Sequence, residues 1–342
     1  GGLFTAAQGW TPGMGLDRRE IAVDLLGAAD ALGLEGEGFT DYDLGGWMGF
    51  ERYGDARVYI DARTLVFHED SRYFAQRAAL ADPAAFAMLD RRYAFDWVAI
   101  PRRAPTCGAL ARSVGWSPMF VDETRVLFVR GADPRRLQKI DPCVADQHLL
   151  SSCRQDPEGA AAWRADIEQL VRVTPGAAWA SRMGAALYTG CGVPDPVETA
   201  RHLEAARAAE PDHDELAWLG GKLALAGGDI AGAIEWFATA GPDDMRSHAT
   251  RATLLLESGR TAEARTLAQD VIERMVDETP PALRGVLAVA CLETGDVRCA
   301  ADQALRGALR GDRRSADLLA RDEIAAILTE DQRTLADLAT KK

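Results

Sequence analysis

The chain is 342 residues long, enough for two domains of ordinary size, and its 47% hydrophobic and 27% charged residues make a globular rather than a disordered mixture. Its net charge is −13: residues 1–138 hold 19 acids against 16 bases, and the remainder 33 against 23. The acidic second part argues against non-specific nucleic-acid binding, which needs a basic footprint, and against docking on an anionic lipid surface. No apolar run approaches the ~20 residues that span a bilayer.

In chain order the pattern predicts a helix over Asp17–Leu32, a short strand at Gly38–Thr40, a helix over Leu44–Tyr53 and a strand at Arg57–Ile60. Helices follow at Ser71–Leu80 and Pro83–Tyr93, then a strand at Asp96–Ile100 and a helix at Pro105–Val114. Two β-rich runs, Ser117–Val121 and Arg125–Val129, flank Asp122-Glu123-Thr124 as a hairpin. Alternating helices and short apolar strands predict an α/β domain over residues 1–137, a small sheet flanked by helices. No glycine-rich phosphate loop follows any strand, so nucleotide binding has no positive signal and no cofactor is expected. Residues 138–159 hold Pro142, Pro157 and two cysteines without a clear period, and read as a linker.

Beyond the linker, residues 160–342 are alanine-rich and amphipathic, beginning with a helix at Ala160–Val173. Gly228, Gly259 and Gly295 each end an apolar helix and are each followed five residues later by alanine: Ala233, Ala264 and Ala300. Seven residues before each glycine stands Gly221, Ala252 or Ala288, and Ala200 matches an earlier, less regular copy. Small residues at fixed places let two helices pack closely, and the glycine permits the turn between them. The spacing resembles tetratricopeptide repeats, whose period is about 34 residues. It predicts about four helix pairs, closed by a capping pair within Ala316–Leu338. The resemblance implies that the first helix of each pair lines a binding face. Trp218, Lys222, Arg246, Thr253, Glu257 and Glu293 are then the residues that meet a protein or peptide partner.

The segment Thr40 to Arg63, TDYDLGGWMGFERYGDARVYIDAR, gathers acids, aromatics and a Gly-Gly pair before a β-branched run. Asp41, Tyr42 and Asp43 stand at a strand end, where an aspartate commonly caps the next helix. Gly45 and Gly46 permit close backbone approach. Trp47, Met48 and Phe50 give that helix an apolar face. Val58 to Ile60 reads as a buried strand of parallel type, and Asp61 and Arg63 lie just past its end, where ligand sites of open α/β sheets collect. Each residue also has a scaffold reading, with Asp43 as helix cap and Asp61–Arg63 as a structural ion pair.

Over roughly Asp17 to Arg130 the chain resembles the soluble domain of multi-pass membrane glycosyltransferases of the oligosaccharyltransferase type. The resemblance is carried by DYDLGGW, VYID and FDWVAIP, and the paired tryptophans of that family's motif are missing here. It implies the non-catalytic, extracytoplasmic part of a larger membrane protein, and the Gly-Gly-Leu-Phe start without a methionine reads as an excised segment or a tag remnant. Asp41, Tyr42, Asp43, Gly45, Gly46, Trp47, Asp61 and Arg63 would then shape a pocket for a glycan or other acceptor. The alternative is a soluble, cytoplasmic repeat adaptor with the α/β domain as scaffold.

An enzyme complete in this chain is the weaker third reading. The five histidines are scattered, and neither H-E-x-x-H nor G-x-S-x-G occurs. The six cysteines include no C-x-x-C, so a zinc site has no support. Two close pairs, Cys143/Cys153 and Cys291/Cys299, suit disulfides, while all six also suit small buried hydrophobes. The extracytoplasmic side implied by the resemblance favours oxidation.

Overall fold

The computed structural model of the chain describes residues 23–51, 56–60, 72–211, 213–274 and 280–340. It divides into two compact units, Gly1–Ala209 and Glu210–Lys342. No helix among the described residues is long and apolar enough to cross a membrane.

The first unit is built on a five-stranded sheet. In chain order its elements are α1 (Val23–Leu32), β1 (Gly36–Thr40), α2 (Tyr42–Glu51), β2 (Ala56–Val58), α3 (Arg72–Ala81), α4 (Pro83–Tyr93), β3 (Trp97–Pro101), α5 (Pro105–Ala111), β4 (Trp116–Val121) and β5 (Arg125–Arg130). Four helices follow: α6 (Asp146–Gln155), α7 (Ala160–Val173), α8 (Ala178–Gly190) and α9 (Pro196–Ala209). The strand order is β2-β1-β3-β5-β4. β1 runs parallel to both β2 and β3, whereas β3, β5 and β4 pair antiparallel, with β4 and β5 forming the expected hairpin.

Alternation along the strands sorts residues to two faces. Phe39, Val98, Ile100, Val126 and Phe128 pack with Phe86 and Phe95 of the α3–α5 side. Trp97, Ala99 and Leu127 face the other way, against α1, α2 and the α6–α8 helices. Leu149, Cys153, Trp163, Ile167 and Leu170 all belong to that second core. The stretch 138–159, expected as a linker, therefore carries α6 and closes the sheet's second face. The physical reason is that an α/β sheet exposes two apolar faces, and α1 and α2 alone do not cover the second. Asp166, which is buried, accepts the backbone N–H groups of Gln138, Lys139 and Ile140 and so holds the start of this stretch.

The second unit is a stack of helix pairs: α10 (Asp214–Ala226) with α11 (Ile230–Ala238), α12 (Met245–Glu257) with α13 (Thr261–Arg274), and α14 (Pro281–Glu293) with α15 (Val297–Leu309). α8 and α9, within the first unit, pack on each other as a further helix pair. The expected capping pair is instead three short helices, α16 (Arg313–Leu319), α17 (Asp322–Ala325) and α18 (Glu330–Thr340). Gly228, Gly259 and Gly295 adopt φ of +77°, +74° and +81°, the left-handed geometry that ends the first helix of each pair. Asp229 and Asp296 then cap the second helices of their pairs. Ala233, Ala264 and Ala300 are fully buried at the pair interfaces, as are Ala252 and Ala288. A Cβ on Gly221 would stand 2.4 Å from the Phe237 ring, so only glycine fits beneath that ring. The first helices α10, α12, α14 and α16 lie side by side and form one layer.

All six cysteines are paired: Cys107–Cys143 and Cys153–Cys191 in the first unit, Cys291–Cys299 in the second. The expected Cys143–Cys153 loop does not form, because α5 and the end of α8 bring other partners to these thiols. Cys291–Cys299 does form, and it joins α14 to α15 across their turn.

Candidate binding face on the helical repeats

The residues of the Thr40–Arg63 segment divide between scaffold and surface. Asp41 is buried at the end of β1; its Oδ1 accepts the Leu44 N–H at 2.8 Å and its Oδ2 takes Arg125 Nε at 3.0 Å. It is the cap of α2, where the scaffold reading expected Asp43; the helix already begins at Tyr42, so Asp43 lies inside its first turn and is exposed. Tyr42 sets its ring edge-on to Tyr73 at 5.5 Å. Gly45 is required by a close approach, since a Cβ there would lie 2.0 Å from the Ile60 carbonyl oxygen. Gly46 and Trp47 are half-buried on α2. Asp61 and Arg63 lie outside the described residues.

The strand-end region is closed by further ion pairs. Arg102, 6% exposed, donates to the carbonyls of Pro142, Asp122 and Val144 and to Asp146 Oδ1. Its guanidinium lies 5.1 Å from the Trp179 ring centroid, and Trp179 Nε1 donates to Asp146 Oδ2. These groups satisfy one another, and their geometry describes a clamp between sheet and helices.

A second polar cluster joins α7, α8 and α9. Glu168 Oε1 receives Tyr188 Oη and faces His202 Nε2, both at 3.0 Å, and Arg201 Nη2 at 2.7 Å. Arg201 also pairs with Glu198 at 2.7 Å. Burial holds the His202 ring below the usual imidazole range, so it is neutral near pH 7 and donates from Nε2 to the carboxylate. Its Nδ1 is buried against Gly184 and has no hydrogen-bond partner among the described residues. Burial and the Glu168 hydrogen bond push the Tyr188 phenol up to about 12. Burial raises Glu168, but hydrogen bonds from His202 and Tyr188 outweigh it, leaving the carboxyl below its usual range. Glu168, Glu198 and His202 are close enough to share a metal ion. Arg201 bridges both carboxylates and offsets one of their two charges, so the set reads as an internal ion-pair network.

On the second unit the structure brings three of the expected binding residues together. Trp218 and Lys222 come from α10 and Arg246 from α12. The Arg246 guanidinium sits 4.8 Å from the Trp218 ring centroid, and Lys222 Nζ stands 6.0 Å from it. Trp218 packs its inner side on Phe237 at 5.8 Å and stays half-exposed. Both cations are exposed; among the described residues Arg246 has one long ion pair, 3.6 Å to Asp244. Of the remaining expected residues, Glu257 reaches Arg314 at 3.3 Å and Glu293 accepts Thr261 Oγ1 at 2.6 Å.

Farther along the same layer, α12, α14 and α16 border an open, solvent-facing hollow of about 390 Å³. Its apolar lining is Leu256, Val289 and Leu318, and its rim carries Arg313, Arg314 and Arg321. Sequence reasoning missed these arginines because they follow the last regular repeat, where no glycine–alanine register marks a facing position.

No protein-family description and no curated protein matches the chain. Among solved structures, it is similar to PilW, a widely conserved type IV pilus biogenesis factor, at 14% identity and TM-score 0.36, over 54% of this chain and 97% of that one. It is similar to PilF of Pseudomonas aeruginosa at 13% identity and TM-score 0.37, over 57% and 96%. It is also similar to YrrB, a TPR protein with an unusual peptide-binding site, at 14% identity and TM-score 0.37, over 60% and 93%. These likenesses concern the helical-repeat fold alone.

Proposed function

We propose that the chain is a helical-repeat adaptor that holds a segment of a protein partner on the layer formed by its first helices, with the α/β unit as scaffold. The observation that carries this reading is the convergence of Trp218, Lys222 and Arg246 on that layer. A half-exposed tryptophan with cations against its ring is the residue type on which interface energy concentrates, and stacked helix pairs offer extended surfaces for peptides. Panning a randomised peptide library on the immobilised full chain tests it. Peptides selected by the native protein should be lost by K222E/R246E and retained by Glu235→Lys, which changes an exposed residue of the second helix α11. Equal retention by both variants contradicts it.

We further propose an extracytoplasmic location. Pairing of all six cysteines supports an oxidising compartment, and a count of free thiols on protein prepared without reductant tests it. Six free thiols would favour the cytoplasmic adaptor. The finer reading, an acceptor-facing pocket of a membrane glycosyltransferase relative at Asp43 and Trp47, rests on sequence resemblance. The use of Asp41 and Gly45 in the scaffold lends it no support.

A further inference from the structure

We propose that the cavity between α12, α14 and α16 is a binding subsite for an acidic segment of the partner, which seats an apolar side chain on the cavity floor and a carboxylate against its arginines. The inference rests on the first-helix layer being the binding face and adds the chemistry of what that face takes.

Charge is the first argument. The second unit's sequence carries 24 acids against 16 bases, yet three of its arginines converge on the rim of this one cavity. A solvated surface of such a unit would show acids in excess, and here the balance is reversed. Two rim acids, Glu257 and Asp317, leave the lining with one net positive charge.

Availability is the second. Arg314 is engaged with Glu257 at 3.3 Å, but both side chains are exposed, at 39% and 57%, so the pair is weak and exchangeable. Arg313 and Arg321 are exposed and form no ion pair among the described residues. Asp317 forms no ion pair with either among the described residues. An arginine fork binds a carboxylate through two parallel hydrogen bonds, so two uncommitted forks favour a carboxylate over a neutral polar group.

Shape is the third. Leu256, Val289 and Leu318 come from three successive first helices, and together they present an apolar floor in a space of about 390 Å³. The hollow is open to solvent, and its volume suffices for one large side chain laid on it with its flanking backbone. An apolar floor under a cationic rim matches a segment in which an aspartate or glutamate neighbours a leucine or an aromatic residue.

The test is a panning of the same randomised peptide library on the full chain, comparing native protein with R313E/R321E and with K222E/R246E. Both rim residues are exposed, so the reversal leaves the packing in place, and circular dichroism checks this. The proposal expects native-selected peptides to combine acidic with large apolar residues. They should lose about tenfold or more in affinity for R313E/R321E, and weaken as ionic strength rises. Selected peptides that lack acids overturn it, and so do acidic peptides that R313E/R321E binds as well as native protein does. In either case, loss of binding on K222E/R246E would keep the adaptor reading while removing this subsite. Failure of native protein to select any peptide overturns both.

Discussion

Arg102 Nη1 donates to Asp146 Oδ1 at 2.9 Å, linking the end of β3 to the first turn of α6. The same guanidinium holds three backbone carbonyls and stacks on Trp179. The first unit therefore fastens its sheet to its helical cover through one buried cation. Beside it, the Cys107–Cys143 disulfide joins α5 to the stretch that leads into α6.

Arg102→Ala should destabilise the protein by about 3 kcal/mol or more, since it strands several buried acceptors and Asp146 at once. Arg102→Lys should recover only a small part, because an ammonium cannot serve four acceptors in the directions a planar fork does. Urea denaturation of the full chain measures both; a loss under 1 kcal/mol for the alanine variant would contradict the clamp.

Asp41 and Asp43 should respond differently to alanine. Asp41→Ala removes a helix cap, which contributes about 1 kcal/mol, and also a carboxylate from a buried guanidinium, for a total of about 2 kcal/mol or more. Asp43→Ala, at an exposed position, should stay within about 0.5 kcal/mol. Similar losses for the two would remove the distinction between scaffold and surface.

The glycines of the repeats separate two physical demands. Gly259 has φ of +74° and open space around its Cα, so Gly259→Ala should cost about 1 kcal/mol of backbone strain. Gly221 has no such strain, but a Cβ there meets the Phe237 ring at 2.4 Å, so Gly221→Ala should cost about 1–3 kcal/mol through overpacking. Thermal melts of both variants check the order.

The repeat register was legible in the sequence because single residues announce it: only glycine suits the left-handed turns at 228, 259 and 295, and only small residues suit the buried positions 233, 264 and 300. The hairpin at Asp122–Thr124 was legible for a similar reason, two β-rich runs around a short polar turn. What escaped was set by contacts distant in sequence. Cys143 stands nearer to Cys153 in the chain, yet the fold gives it Cys107. Residues 138–140 look irregular because Asp166, 26 to 28 residues away, satisfies their backbone. The cavity arginines escaped because three helices are needed to bring their surroundings together.

Acid and alkali should both weaken the α7–α9 network, through different groups. His202 is held below its unfolded value, so the unfolded chain takes up a proton first and stability falls as pH drops below about 6.5. Glu168 is also lowered, so its contribution is present above about 4.5 and lost as pH falls further through its folded value. Tyr188 is raised to about 12, so its contribution is intact below about 10 and lost as pH rises toward that value. Urea midpoints between pH 5 and 8 should decline on the acid side, and His202→Gln should flatten that slope. An unchanged slope would assign the acid sensitivity elsewhere.

The central claim is that the first-helix layer holds a peptide segment. Its most direct measurement is calorimetric titration of one library-selected peptide into native full chain, K222E/R246E and Glu235→Lys. The account predicts one-to-one binding to native protein and to Glu235→Lys with equal affinity, and a loss of about tenfold or more for K222E/R246E. Undiminished binding to K222E/R246E, or a loss confined to Glu235→Lys, would contradict it.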